Sequence, residues 1–356
     1  MTINDLTISM VVPVYNGGAA FLHCLEHLRK LDPKPAEIII AADGDTDGSR
    51  YAARDYRFKV LTLHGPGGPA RARNWAARHA QGDVILFIDA DVTVPVDIVA
   101  QISMMFRSEP TVDAIIGSYD DAPASPNIVS QYRNLLHHYV HQISSQEAST
   151  FWAGCGAIRR HVFYTIGGFD ERYRRPSVED IELGYRLKRA GYRIHLHKGL
   201  QVRHLKQWTL PSVLKADMFD RAIPWTEIIW QYRMFLNDLN TSTSGRASVA
   251  AACAGVGLSI ALIWFPESSL LLGVVVLFLL TVNAPLYRFF VRKRGWMFTA
   301  LAAIPLHWLY SFYSGVGFSI GTLKFFCGIP RWRASSRGSP HIEYGVPPAF
   351  TKEGSN

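Results

Sequence analysis

Carboxylates in this chain collect where apolar runs end. Ile38-Ile39-Ile40 is followed by Asp43, Asp45 and Asp47, and Val84-Ile85-Leu86-Phe87-Ile88 by Asp89 and Asp91. Side chains alternate along an extended chain, so residues 89 and 91 face one side and can share a single hard cation. A third acidic pair, Glu179-Asp180, opens a helical pattern that Gly191 closes. Ser177 and Asp180 have the spacing of a helix cap and its partner, while Gly167-Gly168 and Pro176 mark a loop that delivers this helix start to a site. Further on, Val202-Arg203-His204-Leu205-Lys206-Gln207-Trp208 begins a stretch where basic and aromatic residues alternate.

Strands and helices must position these groups. The spacing predicts strands over 8–15, 37–42, 59–63 and 84–88, with helices from 19, over about 48–56 and over 70–80. Asp32-Pro33-Lys34-Pro35 forces a turn between the first helix and the second strand. Strands that are apolar throughout and separated by helices predict an α/β fold whose mainly parallel sheet is covered on both faces. Ligands of such sheets sit beyond the carboxyl ends of the strands, where the acids lie.

The combination Val12-Pro13-Val14-Tyr15-Asn16, Ala42-Asp43-Gly44-Asp45-Thr46-Asp47-Gly48-Ser49, Ala70-Arg71-Ala72-Arg73-Asn74 and Gly82-Asp83 through Asp89-Ala90-Asp91 resembles family 2 glycosyltransferases of the GT-A, Rossmann-like fold. The likeness continues through Gly167-Gly168-Phe169-Asp170-Glu171 and Glu179-Asp180-Ile181-Glu182-Leu183-Gly184-Tyr185-Arg186-Leu187, and so covers roughly residues 8–230. Asp45 departs from it, since the family more often has Ser there. The resemblance implies a nucleotide-sugar donor, UDP- or GDP-linked, with Mg²⁺ or Mn²⁺ on its diphosphate held by Asp91 with Asp89 nearby. It implies a nucleoside contact from Asp43, a donor pocket shared by Pro13, Tyr15 and Asp45, and donor orientation by Arg71 and Arg73. Asp180, with Glu179 beside it, becomes the base for an acceptor hydroxyl in an inverting displacement, and His204 a third metal ligand. Arg221-Ala222-Ile223-Pro224-Trp225 is loosely similar to the Gln-x-x-Arg-Trp element of polysaccharide synthases, which would bring Arg221 and Trp225 to the donor. It lacks the Gln and alters the Arg–Trp spacing.

Composition sets the surroundings. The 356 residues are 48% hydrophobic and 19% charged, too apolar for disorder, and the 4 cysteines are too scattered for a disulfide scaffold. The formal charge of +8 is unevenly placed: residues 1–240 carry 27 basic and 26 acidic side chains, residues 241–356 carry 10 and 3. A nearly neutral first part gives nucleic-acid binding no support. Ala247–Phe265, Ser268–Tyr287 and Trp296–Leu323 contain no charged residue and read as membrane segments. The third contains Pro305, Gly315 and Gly317 and is expected to re-enter or cross twice, which would return Arg331, Arg333 and Arg337 to the side of Arg288, Arg292, Lys293 and Arg294. That basic loop places the first 245 residues in the cytoplasm, with the chain in a bacterial inner membrane. Ile8–Val12 is short and cut by Pro13, so no signal peptide is expected at the N-terminus.

The expected organisation is a catalytic GT-A domain over 1–205, interfacial amphipathic helices over 206–245, a membrane domain of two to four segments over 246–327 and a basic tail over 328–356. The expected function is transfer of a sugar to a hydroxyl of a lipid or lipid-linked acceptor at the cytoplasmic face. Rival readings are transfer to a polyprenyl phosphate, processive polysaccharide synthesis, and a non-catalytic sugar-nucleotide-binding membrane protein. An anionic phosphate acceptor needs no base, so Glu179-Asp180 weighs against the first.

Overall fold

The computed structural model describes residues 6–329, so Arg331, Arg333 and Arg337 of the expected tail lie outside the described residues. The first half follows the predicted alternation closely. Strands β1 (Ile8–Val14), β2 (Glu37–Asp43), β3 (Lys59–Leu63) and β4 (Val84–Ile88) are joined by helices α1 (Gly18–Arg29), α2 (Ser49–Asp55) and α3 (Pro69–Ala77). They pair in parallel in the order β3-β2-β1-β4, with Met10 opposite both Ile38 and Leu86. β1 is buried along its whole length. Its Met10, Val12 and Val14 pack on one face of the sheet and Val11 on the other, each face closed by its own apolar cluster.

Beyond β4 the sheet becomes mixed, with parallel pairing again between β6 and β9. β5 (Val92–Thr93), β6 (Ala114–Tyr119), β7 (Glu147–Ala148), β8 (Cys155–Arg159) and β9 (Ile194–His204) extend it in the order β8-β6-β9-β5, with β7 on β9. β8 lies antiparallel to both β4 and β6, so the wider sheet is mixed. The consequence is local: an antiparallel β8 begins where β4 ends, and the Asp89 N–H donates to the Gly154 carbonyl at 3.4 Å. Helices α4 (Ile98–Ser108), α5 (Ile128–Ile143), α6 (Arg160–Thr165) and α7 (Glu179–Arg189) cover this half. Gly184 decides where α7 sits. A Cβ there would lie 2.3 Å from Phe151 N and 2.5 Å from Thr150 Cα, so only glycine lets α7 approach this backbone.

Residues 210–232 form α8 (Leu210–Lys215), a π-helical turn (Ala216–Ala222) and α9 (Ile223–Tyr232). Four further helices follow: α10 (Thr243–Ala261), α11 (Ser268–Val282), α12 (Ala284–Phe298) and, after a second π-helical turn at Thr299–Ala303, α13 (Ile304–Phe326). Only α10 is long and apolar enough to cross a membrane by itself among the described residues; α11 with the α12–α13 stretch passes the same test as a pair bent by 62°. The third apolar run does not turn back within itself. It is helical throughout, and the break lies at its start, where Gly295 has φ 82°. Pro305 directly follows the π-helical turn, whose wider winding accommodates a residue without an N–H, and the helix continues through it. Its Gly317 and Gly321 lie against Ala222, Ile223 and Thr226, close enough that a Cβ at either would meet an atom at 2.7 Å.

α12 lies on the α/β domain, where Leu286, Tyr287, Phe289 and Phe290 pack with Tyr132, Leu135 and Leu136 of α5. Lys293 pairs with Asp121, and Arg294 donates to Gln131 Oε1.

Candidate functional site

One large cavity, about 1450 Å³, opens at the carboxyl ends of β1, β2 and β4. Its wall brings together Pro13, Tyr15, Asp43, Arg73, Asp89, Asp91, Glu179, Asp180, His204, Arg221 and Trp225. Two expected residues are not in that wall. Arg71 lies over Gly67 instead, and Asp45 is buried, accepting from Arg50 N at 3.1 Å through one oxygen while Oδ1 has no partner.

Asp43 is buried, and its carboxylate accepts from Gly67 N at 3.0 Å and Gly68 N at 2.7 Å. It thereby fixes the loop before α3 against the end of β2. Asn16 acts similarly on the facing loop, accepting from Thr46 N at 2.8 Å. Both sequence motifs thus brace the loops that frame the cavity mouth, a role in addition to any ligand contact.

Arg73 sits at the middle of the site. Its guanidinium is buried, donating to Asp89 Oδ1 at 2.6 Å and Glu179 Oε1 at 3.0 Å. Burial opposes the charge, yet Asp89 and Glu179 hold the pKa above its ordinary value. Asp89 is thus tied through Oδ1 to an arginine. Glu179 is likewise spoken for: its other oxygen accepts from Ser177 N at 2.9 Å. The capping pair expected from Ser177 and Asp180 is absent. Val178 is the N-cap residue, and the Ser177 hydroxyl instead donates to the Asp220 carbonyl at 2.7 Å.

Asp180 is left as the carboxylate with a perturbed proton affinity. Oδ2 accepts from Ala153 N at 3.1 Å and Oδ1 from Ile181 N at 2.8 Å. Burial, with the neighbouring Glu179 charge, pushes its pKa up to about 7, against the pull of Arg73. A half-buried carboxylate poised near neutrality in a cavity wall is suited to taking a proton.

Asp91 and His204 form the second pair. His204 Nε2 lies 3.4 Å from Asp91 Oδ2, and His204 Nδ1 donates to Asn134 Oδ1 at 3.1 Å. Asn134 thus fixes the ring with Nε2 toward the carboxylate, as a hydrogen-bond acceptor on the far nitrogen does for metal-binding histidines. Among the described residues no cluster of three or more His, Cys, Asp or Glu side chains comes together as a metal site.

Several residues of the wall carried no signal noticed in the sequence. Arg133, His137 and His141 of α5 all reach the cavity, spaced four apart on one helix face. That spacing of polar residues within an otherwise amphipathic helix was available as a signal. The His137 and His141 rings lie 4.2 Å apart between centroids, tilted by 35°, and burial lowers the pKa of both, His141 to about 4. Asp217, in the first π-helical turn, accepts from Arg133 at 2.6 Å and from the Tyr313 hydroxyl at 2.8 Å, with Arg221 at 3.5 Å. The cavity then continues along Gly245, Val249 and Ala250 of α10 and Tyr310, Ser314 and Phe318 of α13.

A mixed α/β sheet with acids at its strand ends around one deep cavity is the architecture of the GT-A fold. The fold agrees with that of a mannosyltransferase, PcManGT from Pyrobaculum calidifontis, solved in complex with GDP-Man and Mn²⁺ (TM-score 0.50, 16% identity, covering 92% of this chain and 89% of that one). Residues 9–167 match the model of the family described as glycosyl transferase family 2. Glycosyltransferase GlyG of Streptococcus pneumoniae serotype 4 is 31% identical over 152 residues, 41% of this chain and 50% of GlyG. The UDP-Glc:α-D-GlcNAc-diphosphoundecaprenol β-1,3-glucosyltransferase WfgD of Escherichia coli is 27% identical over 121 residues, 33% of this chain and 47% of WfgD. The aligned segments thus span about half the length of each of these relatives.

Proposed function

We propose that this protein is a membrane-bound inverting glycosyltransferase that moves a sugar from a nucleotide-sugar donor to a hydroxyl of a lipid-linked acceptor at the cytoplasmic face. The observation that carries this reading is the cavity itself, whose wall includes Asp91 and Asp180 at one part and α10 and α13 at another. An acceptor with a sugar head and an apolar tail fits such a wall.

Asp180 takes the acceptor proton as the hydroxyl attacks the anomeric carbon, and the nucleoside diphosphate leaves from the opposite face. Burial keeps a fraction of Asp180 protonated near neutral pH, so its basicity is matched to an alcohol better than that of a surface carboxylate. Arg73 holds Glu179 and Asp89 in place on either side and limits the rise in proton affinity. Asp91 and His204 would hold a divalent ion through a carboxylate and an imidazole nitrogen oriented by Asn134. A bound Mg²⁺ or Mn²⁺ there would offset the charge developing on the leaving diphosphate. The Mn²⁺ in the PcManGT structure and the diphosphoundecaprenol acceptor in the name of WfgD support these two assignments.

Membrane anchoring rests on the α10–α11 hairpin. Leu270 and Leu277 of α11 are 77% and 64% exposed, and Val274, Ile260, Ile263, Trp264 and Phe265 join them in one apolar surface without a protein cover. Lipid is the natural solvent for such a surface. α12 carries Arg288, Arg292, Lys293 and Arg294 and lies on the α/β domain, so the basic segment and the catalytic cavity share a side, as the positive-inside rule requires.

The test is to incubate the detergent-solubilised full chain with a panel of nucleotide sugars and a bacterial membrane-lipid extract, and to identify products by mass spectrometry. A glycosylated lipid that depends on Asp180 is expected. Failure of every donor to yield product would overturn the reading and favour a non-catalytic sugar-nucleotide-binding protein.

A further inference from the structure

The first π-helical turn (Ala216–Ala222) joins two parts of the cavity that the family motifs do not connect. At one side the Ser177 hydroxyl donates to its Asp220 carbonyl, three residues from Asp180. At the other the Tyr313 hydroxyl of α13 donates to its Asp217. Between these attachments two guanidinium groups meet one carboxylate. Arg133, nine-tenths buried, donates to Asp217 Oδ1 at 2.6 Å, and the more open Arg221 lies 3.5 Å from the same oxygen. All three line the cavity. Asp217 is thus saturated by donors from three elements, and Asp220, the next carboxylate toward Arg221, is itself faced by Lys215, Arg175 and Lys206, so positive charge stays in excess along this wall. A cation buried in a cavity wall and only partly neutralised there attracts an anion. Continuing past Tyr310 and Ser314, the wall becomes apolar at Val249, Ala250, Ile229 and Phe318.

We propose that Arg133 and Arg221 form a subsite for the phosphate of a phosphate-linked lipid, lying between the Asp180 base and the groove of α10 and α13 that takes the lipid chain. This deepens the function proposed above and rests on it for the sugar end of the acceptor. The π-helical turn explains how the subsite is presented. Its wider winding places Asp217 and Arg221 on the cavity face while Gly317 of α13 packs closely behind Ala222. Arg is the suited residue, since its planar fork can donate to Asp217 and to a phosphate oxygen together, which a Lys point charge does less well. The subsite also sets selectivity. A glycolipid without phosphate would leave the excess charge unmatched, whereas a phosphate or diphosphate linkage meets it.

The full chain in detergent, with chelator present to silence metal-assisted binding, is titrated with farnesyl diphosphate, farnesol and inorganic diphosphate, reading tryptophan fluorescence. Farnesyl diphosphate should bind saturably and about tenfold or more tighter than either fragment, and saturating UDP or GDP should leave it bound. Arg133→Lys should weaken it about tenfold. Arg133 supports buried Asp217 and its variants could unfold, so Arg221→Gln is the second probe; it leaves the Arg133–Asp217 bond in place and should weaken farnesyl diphosphate by a similar factor. The proposal is overturned if farnesol binds as tightly, if inorganic diphosphate alone binds as tightly, if nucleotide displaces the probe, or if Arg221→Gln changes nothing. Hydrolysis of nucleotide sugars by the wild-type chain is measured in parallel with metal. Its absence for all donors counts against the transferase reading, while the binding titration still decides the subsite.

Discussion

Asp180, the proposed base, is an anion that its surroundings disfavour. Burial and Glu179 raise its pKa to about 7, so the transfer rate should fall below neutrality along an acid limb near that value, read from a pH profile of kcat/KM. Asp180→Asn should lower kcat by about 10²–10⁴ while leaving donor affinity measurable and near normal. Near-normal turnover of the variant on the true acceptor would remove the base assignment. The same perturbation has a stability cost with a defined sign. A carboxyl whose folded pKa lies above its unfolded value binds a proton in the native state that the unfolded chain has released, so stability falls as pH rises from about 4 to about 7 and then levels. Asp180→Asn should therefore be more thermostable than wild type at pH 8, with the gap closing toward pH 4, as thermal melts in detergent would show.

At the scale of elements, α7 delivers Asp180 by sitting unusually close to the 150–153 backbone. Gly184→Ala would place a Cβ 2.3 Å from Phe151 N, so α7 must shift, and Asp180 with it. Overpacking of this kind costs about 1–3 kcal/mol. The variant should show a lowered melting temperature and a loss of kcat larger than its loss of folded protein at assay temperature. Retained kcat would mean that α7 need not hold this distance. α13 plays the matching part at the other end of the cavity, where Gly317 and Gly321 bring it against the first π-helical turn and α9. These close approaches were not readable from spacing. Gly184 stood within the family motif, but what it abuts is contributed by residues about thirty positions away. The Gly residues of the third apolar run looked like points of breakage and turned out to be points of contact, because the backbone they expose is packed rather than bent.

Across the whole molecule, the α10–α11 hairpin exposes large apolar side chains, and so do Trp296 and Leu301 at the start of the third apolar run and Leu323 and Phe326 at the end of α13. The chain should stay in the membrane fraction after a high-salt and an alkaline carbonate wash, and release by salt alone would show that charge, not insertion, holds it there. The parallel half of the sheet, the acidic strand ends and the apolar hairpin were all legible in the sequence, since each depends on periodicity or composition within a short window. Strand limits at 59–63 and 84–88 agree with the structure residue for residue. What the sequence could not determine was which acid meets which partner. Asp89 and Asp91 share a motif, yet one is bound by Arg73 of α3 and the other faces His204 of β9. Nor could it place the antiparallel half of the sheet, or bring Arg133 of α5, Asp217 and Tyr313 of α13 to one point. Local pattern fixes which elements form and which face they bury. Long-range pairing of buried charges is decided only when those elements pack, because desolvation makes a partner obligatory without saying where in the chain it lies.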